Sequence, residues 1–347
     1  MVKCCRKLNP KPKEIYFYLP KTTNNFLKNV IKRYGCFNKK GKEKESCIEI
    51  TRAFNPALLL YKFTPADKNE GFNTKIAGEF FEAFVNLWRG KDTLKANVEK
   101  LKYLQKWIIM SLLKNKWYVY DGIQKAIQWR MVVGLGTNHP YEVSMKLHHI
   151  YGVPIIPGSA LKGVARDMAL LKILENKGCP ENTQGDEECT HSKIEKGIQQ
   201  MLNDREKRDS FFDKISNKPF KELSYEEKLL LAFGNQQFSG IVVFLDAIPD
   251  SAPKFKVDIM NPHYPEYYQG KNFPTDWQNP NPIKFLTVEN TKFRFTVLVN
   301  KARLNRDDKD NYARNVANYA WETLKEALEE LGVGAKTSVG YGYFNDG

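Results

Sequence analysis

A glycine-rich stretch near the end of the chain, LGVGAKTSVGYGYF (residues 331–344), contains residue types that bind phosphate. Glycines let a ligand approach the backbone closely, and Lys336, Thr337 and Ser338 add a cation and two hydroxyls. A nucleotide-binding P-loop, however, needs a glycine directly before its lysine, a strand before the loop and a helix after it. Here Ala335 precedes the lysine, a helix is predicted before the stretch, and the aromatic residues after it predict a strand. The sequence therefore argues against an NTPase.

Two interpretations of this stretch remain open. Its backbone N–H groups and polar side chains could bind a phosphodiester without reading a base. The candidate contact residues are Gly334, Lys336, Thr337, Ser338, Gly340 and Tyr341. Alternatively, Gly332 ends the preceding helix and the following residues only turn into the last strand.

A second candidate anion site lies in PGSALKGVAR (residues 157–166). A Pro-Gly pair interrupts the chain, and Ser159 is predicted to be the N-cap of a helix whose first N–H groups face an anion. Lys162 and Arg166 are four residues apart and share one helical face. Together with Gly158, these residues are candidate RNA contacts. The alternative is a capped helix with two solvated cations.

An adjacent histidine pair, His148 and His149, stands beside Tyr151 and could cleave RNA by acid–base chemistry. Adjacent residues in an extended segment point to opposite faces, so the two imidazoles would not converge on one phosphate. We therefore predict no catalytic residues at this pair.

Metal and cofactor binding are also not expected. Cys179, Cys189 and His191 supply at most three zinc ligands and contain no paired CxxC motif. The six cysteines are spread thinly along the chain and are predicted to be free thiols. We predict no metal site and no cofactor.

A proline-rich segment, NPHYPEYYQGKNFPTDWQNPNP, contains several aromatic side chains. His263 and Tyr264 are candidate RNA contacts, because aromatic rings stack on single-stranded bases. Packing against a neighbouring subunit, or within the segment itself, explains the same composition. The sequence does not choose between these alternatives.

The charge of the chain predicts a polyanionic partner. Its 347 residues carry a net charge of +14, and residues 1–46 hold thirteen Lys and Arg against three Glu. A solvated basic arm is the alternative to direct nucleic-acid contact. The longest strongly apolar run, Trp107 to Leu113, is far shorter than a membrane span, and residues 1–18 lack the apolar core of a signal peptide. We expect a cytoplasmic protein with no membrane partner.

Hydrophobic periodicity predicts the elements that position these residues. Two amphipathic helices are predicted on either side of Gly90, and 176–230 is predicted to be a polar insertion with a short helix near 194–202. From residue 126 onward, the predicted order is strand, helix, strand, strand, helix, strand. The predicted segments are 126–135, 159–174, 241–248, two β-like runs within 284–300, 313–331 and 339–344, with a long loop at 258–282. In the second β-like run, apolar residues alternate with Arg294, Thr296 and Leu298, which predicts a sheet with one face on a core. One face of the last helix carries an apolar stripe: Ala313, Val316, Ala317, Ala320, Leu324, Leu328 and Leu331. The order of the predicted strands and helices is that of a ferredoxin-like, or RRM-like, α+β fold.

Four motifs in this order resemble the RAMP superfamily, the repeat-associated RNA-binding proteins of CRISPR systems. They are IPGSALKGVAR (156–166), FSGIVVFLDAIP (238–249), DIMNPHYPEYY (258–268) and GVGAKTSVGYGYF (332–344). Within the superfamily, their order resembles that of the family of the sixth subunit in the type III-B effector, the Cmr complex. The resemblance extends from about residue 126 to the end, whereas the front part matches only loosely, through NPALLLYKFTP (55–65).

This resemblance implies a RAMP domain over residues 121–347, with insertions at about 176–230 and 258–282, preceded by a basic and helical region over 1–120. It also implies a non-catalytic, RNA-binding subunit that caps the helical backbone of the effector near the 3′ end of the CRISPR RNA. The implied partners are CRISPR RNA, target RNA and other Cmr RAMP subunits, including the backbone subunit and its small helical companion.

The alternative within the same superfamily is a metal-independent endoribonuclease. The family's target-cleaving subunit uses an acidic residue in a loop. The segment GLGTNHPYE (134–142) offers no aspartate, which favours the capping role.

Overall fold

The computed structural model describes residues 16–17, 55–62, 65–66, 74–114, 116–177, 194, 196–197, 212–261, 267, 270–271, 273 and 282–346. By their internal contacts, the residues form two compact units. The first unit comprises residues 1–99, 132–154 and 251–291, and the second comprises 100–131, 155–250 and 292–347. The functional division at residue 120 stays a prediction.

The structure combines helices with antiparallel sheets. The helices are α1 (Pro56–Lys62), α2 (Thr74–Trp88), α3 (Asp92–Lys114), α4 (Gly158–Asn176), α5 (Tyr225–Ala232) and α6 (Lys309–Glu330). The strands are β1 (Tyr16–Phe17), β2 (Pro65–Ala66), β3 (Trp117–Ile127), β4 (Arg130–Met131), β5 (Val242–Phe244), β6 (Ile248–Pro249), β7 (Lys254–Met260), β8 (Ile283–Glu289), β9 (Lys292–Asn300) and β10 (Phe344–Asn345). Among the described residues, no helix has the length and apolarity that crossing a membrane requires.

The second unit is built on a sheet in which the strands run in the order β10-β3-β9-β5, with β6 also paired to β9. All of these pairs are antiparallel. Along the chain, β3, α4, β5, β9, α6 and β10 occur in this order, which is the predicted order of strands and helices, although β4, α5, β6, β7 and β8 lie between some of them. The predicted α+β class is therefore confirmed.

The first core strand lies earlier in the chain than the sequence predicts. It is β3, which ends at Ile127, and not the segment 126–135. The apolar residues Val132 and Val133 are buried, but they lie beyond this strand and belong to the first unit. Apolar residues indicate that a segment is buried, but they do not by themselves show which strands pair with each other.

The core of the second unit is centred on β9. Phe293, Phe295, Val297 and Val299 are fully buried, as their alternation predicts. Thr296 and Leu298 on the opposite face are also buried, so the prediction that only one face lies on a core is wrong. Helix α6 buries the predicted stripe of Ala313, Val316, Ala317, Ala320, Leu324 and Leu328.

The end of the predicted polar insertion contributes to this core. Helix α5 begins with a capping box in which Ser224 and Glu227 exchange side-chain and backbone hydrogen bonds. Its residues Leu229, Leu230 and Leu231 are completely buried. Three consecutive leucines show no amphipathic period, and charged residues flank them. The sequence therefore did not predict this helix. Most residues of the predicted short helix near 194–202 lie outside the described residues.

The first unit contains the predicted helix α2 and the first turns of α3. On α2, Phe80, Phe81 and Phe84 contact one another or Tyr141 and Phe255 at ring-centroid distances of 5.3–6.4 Å. Strands β7 and β8 form an antiparallel pair from Lys254↔Glu289 to Met260↔Ile283. The predicted loop at 258–282 therefore starts inside a strand. All of the prolines in this segment come after the end of β7 in the sequence.

The buried side chain of His139 fixes the segment that follows Val132 and Val133 in the first unit. His139 Nε2 lies 2.8 Å from the Leu60 carbonyl oxygen, and its Nδ1 accepts a hydrogen bond from the Tyr141 N–H. With Nδ1 as the acceptor, the neutral ring donates through Nε2. Burial lowers the pKa of His139, although the hydrogen bond to Leu60 opposes this.

The folded protein should lose stability in mildly acidic solution because of His139. Below about pH 6.5 the unfolded imidazole binds a proton that the folded state excludes, so the free energy of unfolding falls as the pH decreases. We expect urea unfolding to show this loss in wild type and a weaker loss in His139→Gln. His149→Gln, at an exposed site, is the matched control. A variant His139→Gln with the full pH dependence would contradict the assignment.

Candidate nucleic-acid interface

The glycine-rich loop, residues 332–343, begins where helix α6 ends. Gly332 has φ +71°, and its N–H donates to the Ala327 carbonyl over 2.9 Å, which closes the helix as predicted. Val333 N–H then donates to the Gly342 carbonyl over 2.9 Å, and Gly342 N–H donates to the Arg130 carbonyl over 2.8 Å. The two ends of the loop are therefore held together and attached to β4.

The middle of the loop is a tight turn with several left-handed residues. Gly334 has φ +106° and Gly340 has φ +93°, a backbone region that favours glycine. Lys336 also has a positive φ, +65°, which is uncommon for a residue with a side chain. Its carbonyl accepts hydrogen bonds from the N–H groups of Val339 and Tyr341. These bonds hold Lys336 in that conformation.

The turn leaves a set of backbone donors without partners. Within the described part of the chain, the N–H groups of Gly334, Ala335, Thr337 and Ser338 make no hydrogen bond. Gly334 and Ser338 are also exposed. Neighbouring N–H groups in a turn with left-handed residues form a concave site for an anion. The loop is therefore a helix stop and a turn, and it also presents donors suited to phosphate.

A buried lysine fixes the elements that flank the loop. Lys125, on β3, is only 2% exposed, and its ammonium lies 2.8 Å from Glu329 Oε1 and 2.6 Å from Asp346 Oδ1. Burial alone lowers the pKa of Lys125, but hydrogen bonds to Asp346 and Glu329 raise it overall, so the ammonium stays charged. Since Glu329 is at the end of α6 and Asp346 follows β10, one cation holds both ends of the connection.

The Pro-Gly-Ser turn differs from its predicted geometry. Helix α4 has Pro157 at its N-cap, so Ser159 is not the cap and lies exposed in the first turn. Gly158 N–H donates to Asp246 Oδ1 over 2.8 Å. A Cβ at Gly158 would lie 2.0 Å from the Phe244 carbonyl oxygen. The anion at this helix N-terminus is therefore a carboxylate of the protein itself, and glycine is required for the close contact with β5.

The two cations on α4 are not simply solvated. Lys162 Nζ donates to the Val242 carbonyl over 3.2 Å, and Arg166 Nε donates to the Gly234 carbonyl over 3.3 Å. Burial lowers the pKa of Lys162, and the charge of Arg166 adds to this effect. Both side chains hold backbone segments of the second unit, and their contact with RNA stays a prediction.

The histidine pair also differs from its predicted arrangement. His148 and His149 lie in a turn, not in an extended segment, and their rings stack in parallel with centroids 5.4 Å apart. The argument that the two imidazoles must diverge is therefore wrong. His148 Nδ1 accepts hydrogen bonds from the N–H groups of Ile150 and Tyr151, both at 3.3 Å.

Several candidate residues lie outside the described residues. They are His263, Tyr264, the set Cys179, Cys189 and His191, and the basic segment 1–46 apart from residues 16–17. Among the described residues, no group of three or more His, Cys, Asp or Glu side chains is arranged to hold a metal ion.

Sequence reasoning missed one residue at the loop. Trp129 lies in a bend between β3 and β4, and its ring centroid is 4.9 Å from that of Tyr341. Tyr341 itself is buried, so Trp129 is the more exposed of the two aromatic residues. Because the sequence predicts a core strand over 126–135, Trp129 was expected to belong to that strand, and its exposure was missed. An available signal was its position next to Arg130, because sites for single-stranded nucleic acid combine stacking aromatic rings with positive charge.

Comparison with known proteins identifies the family. The RAMP superfamily profile matches residues 130–345, and the chain belongs to this superfamily. The CRISPR system Cmr subunit Cmr6 of Pyrococcus furiosus is 32% identical over 344 residues, which cover 86% of this chain and 95% of that protein.

Two solved structures are also similar. The crystal structure of Cmr6 from Pyrococcus furiosus has a TM-score of 0.38 at 36% identity and covers 66% of this chain and 97% of that one. The cryo-EM structure of the Type III-B Cmr-beta bound to cognate target RNA includes a chain with a TM-score of 0.48 at 19% identity. That match covers 93% of this chain and 85% of the other.

Replacing Lys162 and Arg166 together by alanine should destabilise the protein. The change removes donors from two buried carbonyls, and each loss costs roughly 1–3 kcal/mol of unfolding free energy. Thermal and urea unfolding measure the loss, with Asp167→Ala, an exposed change on the same helix, as the control. An unchanged melting temperature in the double variant would show that both side chains are dispensable for the fold.

Proposed function

We propose that the protein is a non-catalytic RNA-binding subunit of a type III-B CRISPR (Cmr) effector complex. In RNA-guided antiviral defence, it would cap the backbone of the complex near the 3′ end of the CRISPR RNA. Membership of the RAMP superfamily and the 32% identity to Cmr6 support this assignment. Its proposed partners are CRISPR RNA, target RNA and other RAMP subunits, including the backbone subunit and its small helical companion.

The observation that carries the proposal is the set of unpaired N–H groups in the glycine-rich loop. Gly334, Ala335, Thr337 and Ser338 present these donors next to Lys336. Backbone donors bind the phosphodiester, which is the same for every base, so the loop suits a guide RNA of changing sequence. A backbone-binding subunit of an RNA-guided complex needs this property.

The strand order supports a ferredoxin-like assignment for the second unit. If β3, β5, β9 and β10 are numbered one to four along the chain, the order in the sheet is 4-1-3-2. Helices α4 and α6 stand between the first and second and between the third and fourth of these strands. We propose that this unit is a ferredoxin-like, RRM-like RAMP domain.

Assembly with other subunits is supported by helix α3. Its later turns expose large apolar side chains at three- and four-residue spacing: Tyr103, Leu104, Trp107, Ile108 and Met110. Contiguous exposed apolar surface of this kind marks protein interfaces. This face is therefore suited to contact with a protein subunit.

Lys336→Ala should weaken RNA binding without unfolding the loop. Alanine keeps the Cβ atom, so the cost of positive φ at this position stays the same while the charge is lost. Binding of single-stranded RNA at several salt concentrations should show a slope of log K against log salt that is shallower by about 0.7. Reconstitution with the other Cmr subunits should also be less efficient. Unchanged affinity, slope and assembly would leave the loop as a helix stop only.

Gly340→Ala is the complementary variant. At φ +93° the new methyl group strains the turn, although its nearest neighbour, Trp129 Cε3, is 3.9 Å away. We therefore expect lower affinity with an unchanged salt slope, because no charge is removed. Lys146→Ala, which removes an exposed charge from the first unit, controls for net charge alone.

A metal-independent endoribonuclease is the second candidate, and the stacked imidazoles of His148 and His149 favour it. We expect no cleavage when the purified protein is incubated with single-stranded RNA in EDTA. Cleavage that persists in EDTA and is lost in His149→Ala would replace the non-catalytic assignment by the nuclease. Cleavage retained in both His148→Ala and His149→Ala would indicate a contaminating enzyme.

A further inference from the structure

Trp129 is an aromatic side chain that the fold holds beside the glycine-rich loop without burying it. Its exposed fraction is 49%, whereas Trp88 and Trp321 are at most 5% exposed. A large apolar ring left half in solvent gains little from the hydrophobic effect. The exposed face of the ring is therefore available to a ligand.

The backbone around Trp129 is fixed on both sides. Gln128 N–H donates to the Tyr343 carbonyl over 2.9 Å, and its side-chain amide donates to the Phe344 carbonyl. On the other side, the Arg130 carbonyl accepts from Gly342 N–H. Since both neighbours are bound to the chain that leaves the loop, the position of Trp129 relative to the loop is set before any ligand arrives.

The ring itself is also positioned. The Tyr341 ring supports it at 4.9 Å with an interplanar angle of 52°, and the Arg130 guanidinium carbon lies 5.0 Å from the ring centroid. These contacts restrict the rotation of the indole and place a cation beside it. Gly340 has no side chain, and a Cβ there would lie 3.9 Å from Trp129 Cε3. The indole edge and the loop backbone are therefore close neighbours.

We propose that Trp129 stacks on an unpaired nucleobase of the RNA strand whose phosphate the glycine-rich loop binds. The N–H groups of the loop would hold the phosphodiester, and the indole would hold a base of any identity, because every base has a π-face. Bases in a duplex are already stacked and cannot reach an indole, so the ligand of this site is single-stranded RNA. The inference rests on the proposed function, because it requires that the loop bind RNA.

The test separates base stacking from phosphate binding. The ligands are a single-stranded oligouridylate and an abasic ribose-phosphate oligomer of the same length and charge. Wild type should bind the oligouridylate more tightly by on the order of 10- to 100-fold, and Trp129→Ala should bind both alike with an unchanged salt slope. Lys336→Ala should weaken binding of both oligomers and retain the preference.

Trp129→Phe distinguishes ligand contact from a structural role. It keeps a ring for stacking, so it should retain most of the preference, and RNA should quench its tryptophan fluorescence less than that of wild type. A base preference that survives in Trp129→Ala, or quenching of undiminished size in Trp129→Phe, would overturn the stacking assignment. Wild-type protein that binds neither oligomer would instead overturn the proposed function itself.

Discussion

The close backbone approach of Val333 and Gly342 is the constraint on which the candidate interface depends. A Cβ at Gly342 would lie 2.1 Å from the Val333 carbonyl oxygen, so only glycine permits the approach. The closure turns Gly342 N–H toward the Arg130 carbonyl and leaves the intervening residues in a tight turn. Lys125 holds the flanking helix and the end of the chain by two ion pairs. Contacts outside the loop therefore determine the conformation in which its backbone N–H groups are left without partners.

Net charge is a poor guide to the candidate anion site of this protein. Lys125, Lys162 and Arg166 all bond to groups of their own chain. The positive end of α4 already faces the carboxylate of Asp246. These interactions stabilise the second unit because buried carbonyls and carboxylates need donors. The net charge of +14 therefore includes cations that stabilise the fold, and backbone N–H groups without partners are the better indicator of a candidate site.

Local patterns in the sequence predicted the elements that repeat with a regular period. The stripe on α6 and the alternating residues of β9 were recognised because each buries a face at fixed spacing. The start of β3 and the whole of α5 were missed because their burial depends on distant partners. The positive φ at Gly334 and Gly340 was predictable from residue type. The same conformation at Lys336 was not, because hydrogen bonds within the folded turn impose it.

The candidate site divides its chemistry between backbone and side chain. Backbone donors at Gly334, Ala335, Thr337 and Ser338 do not depend on which side chains those positions carry, provided that the turn keeps its shape. The turn keeps its shape through Gly342 and the left-handed Lys336, and Trp129 is positioned by hydrogen bonds of its two neighbours. Affinity for phosphate should therefore depend on the conformation of the turn, whereas affinity for a base should depend on the ring of Trp129. A site organised in this way can hold an RNA strand of any sequence, since neither part reads a base edge.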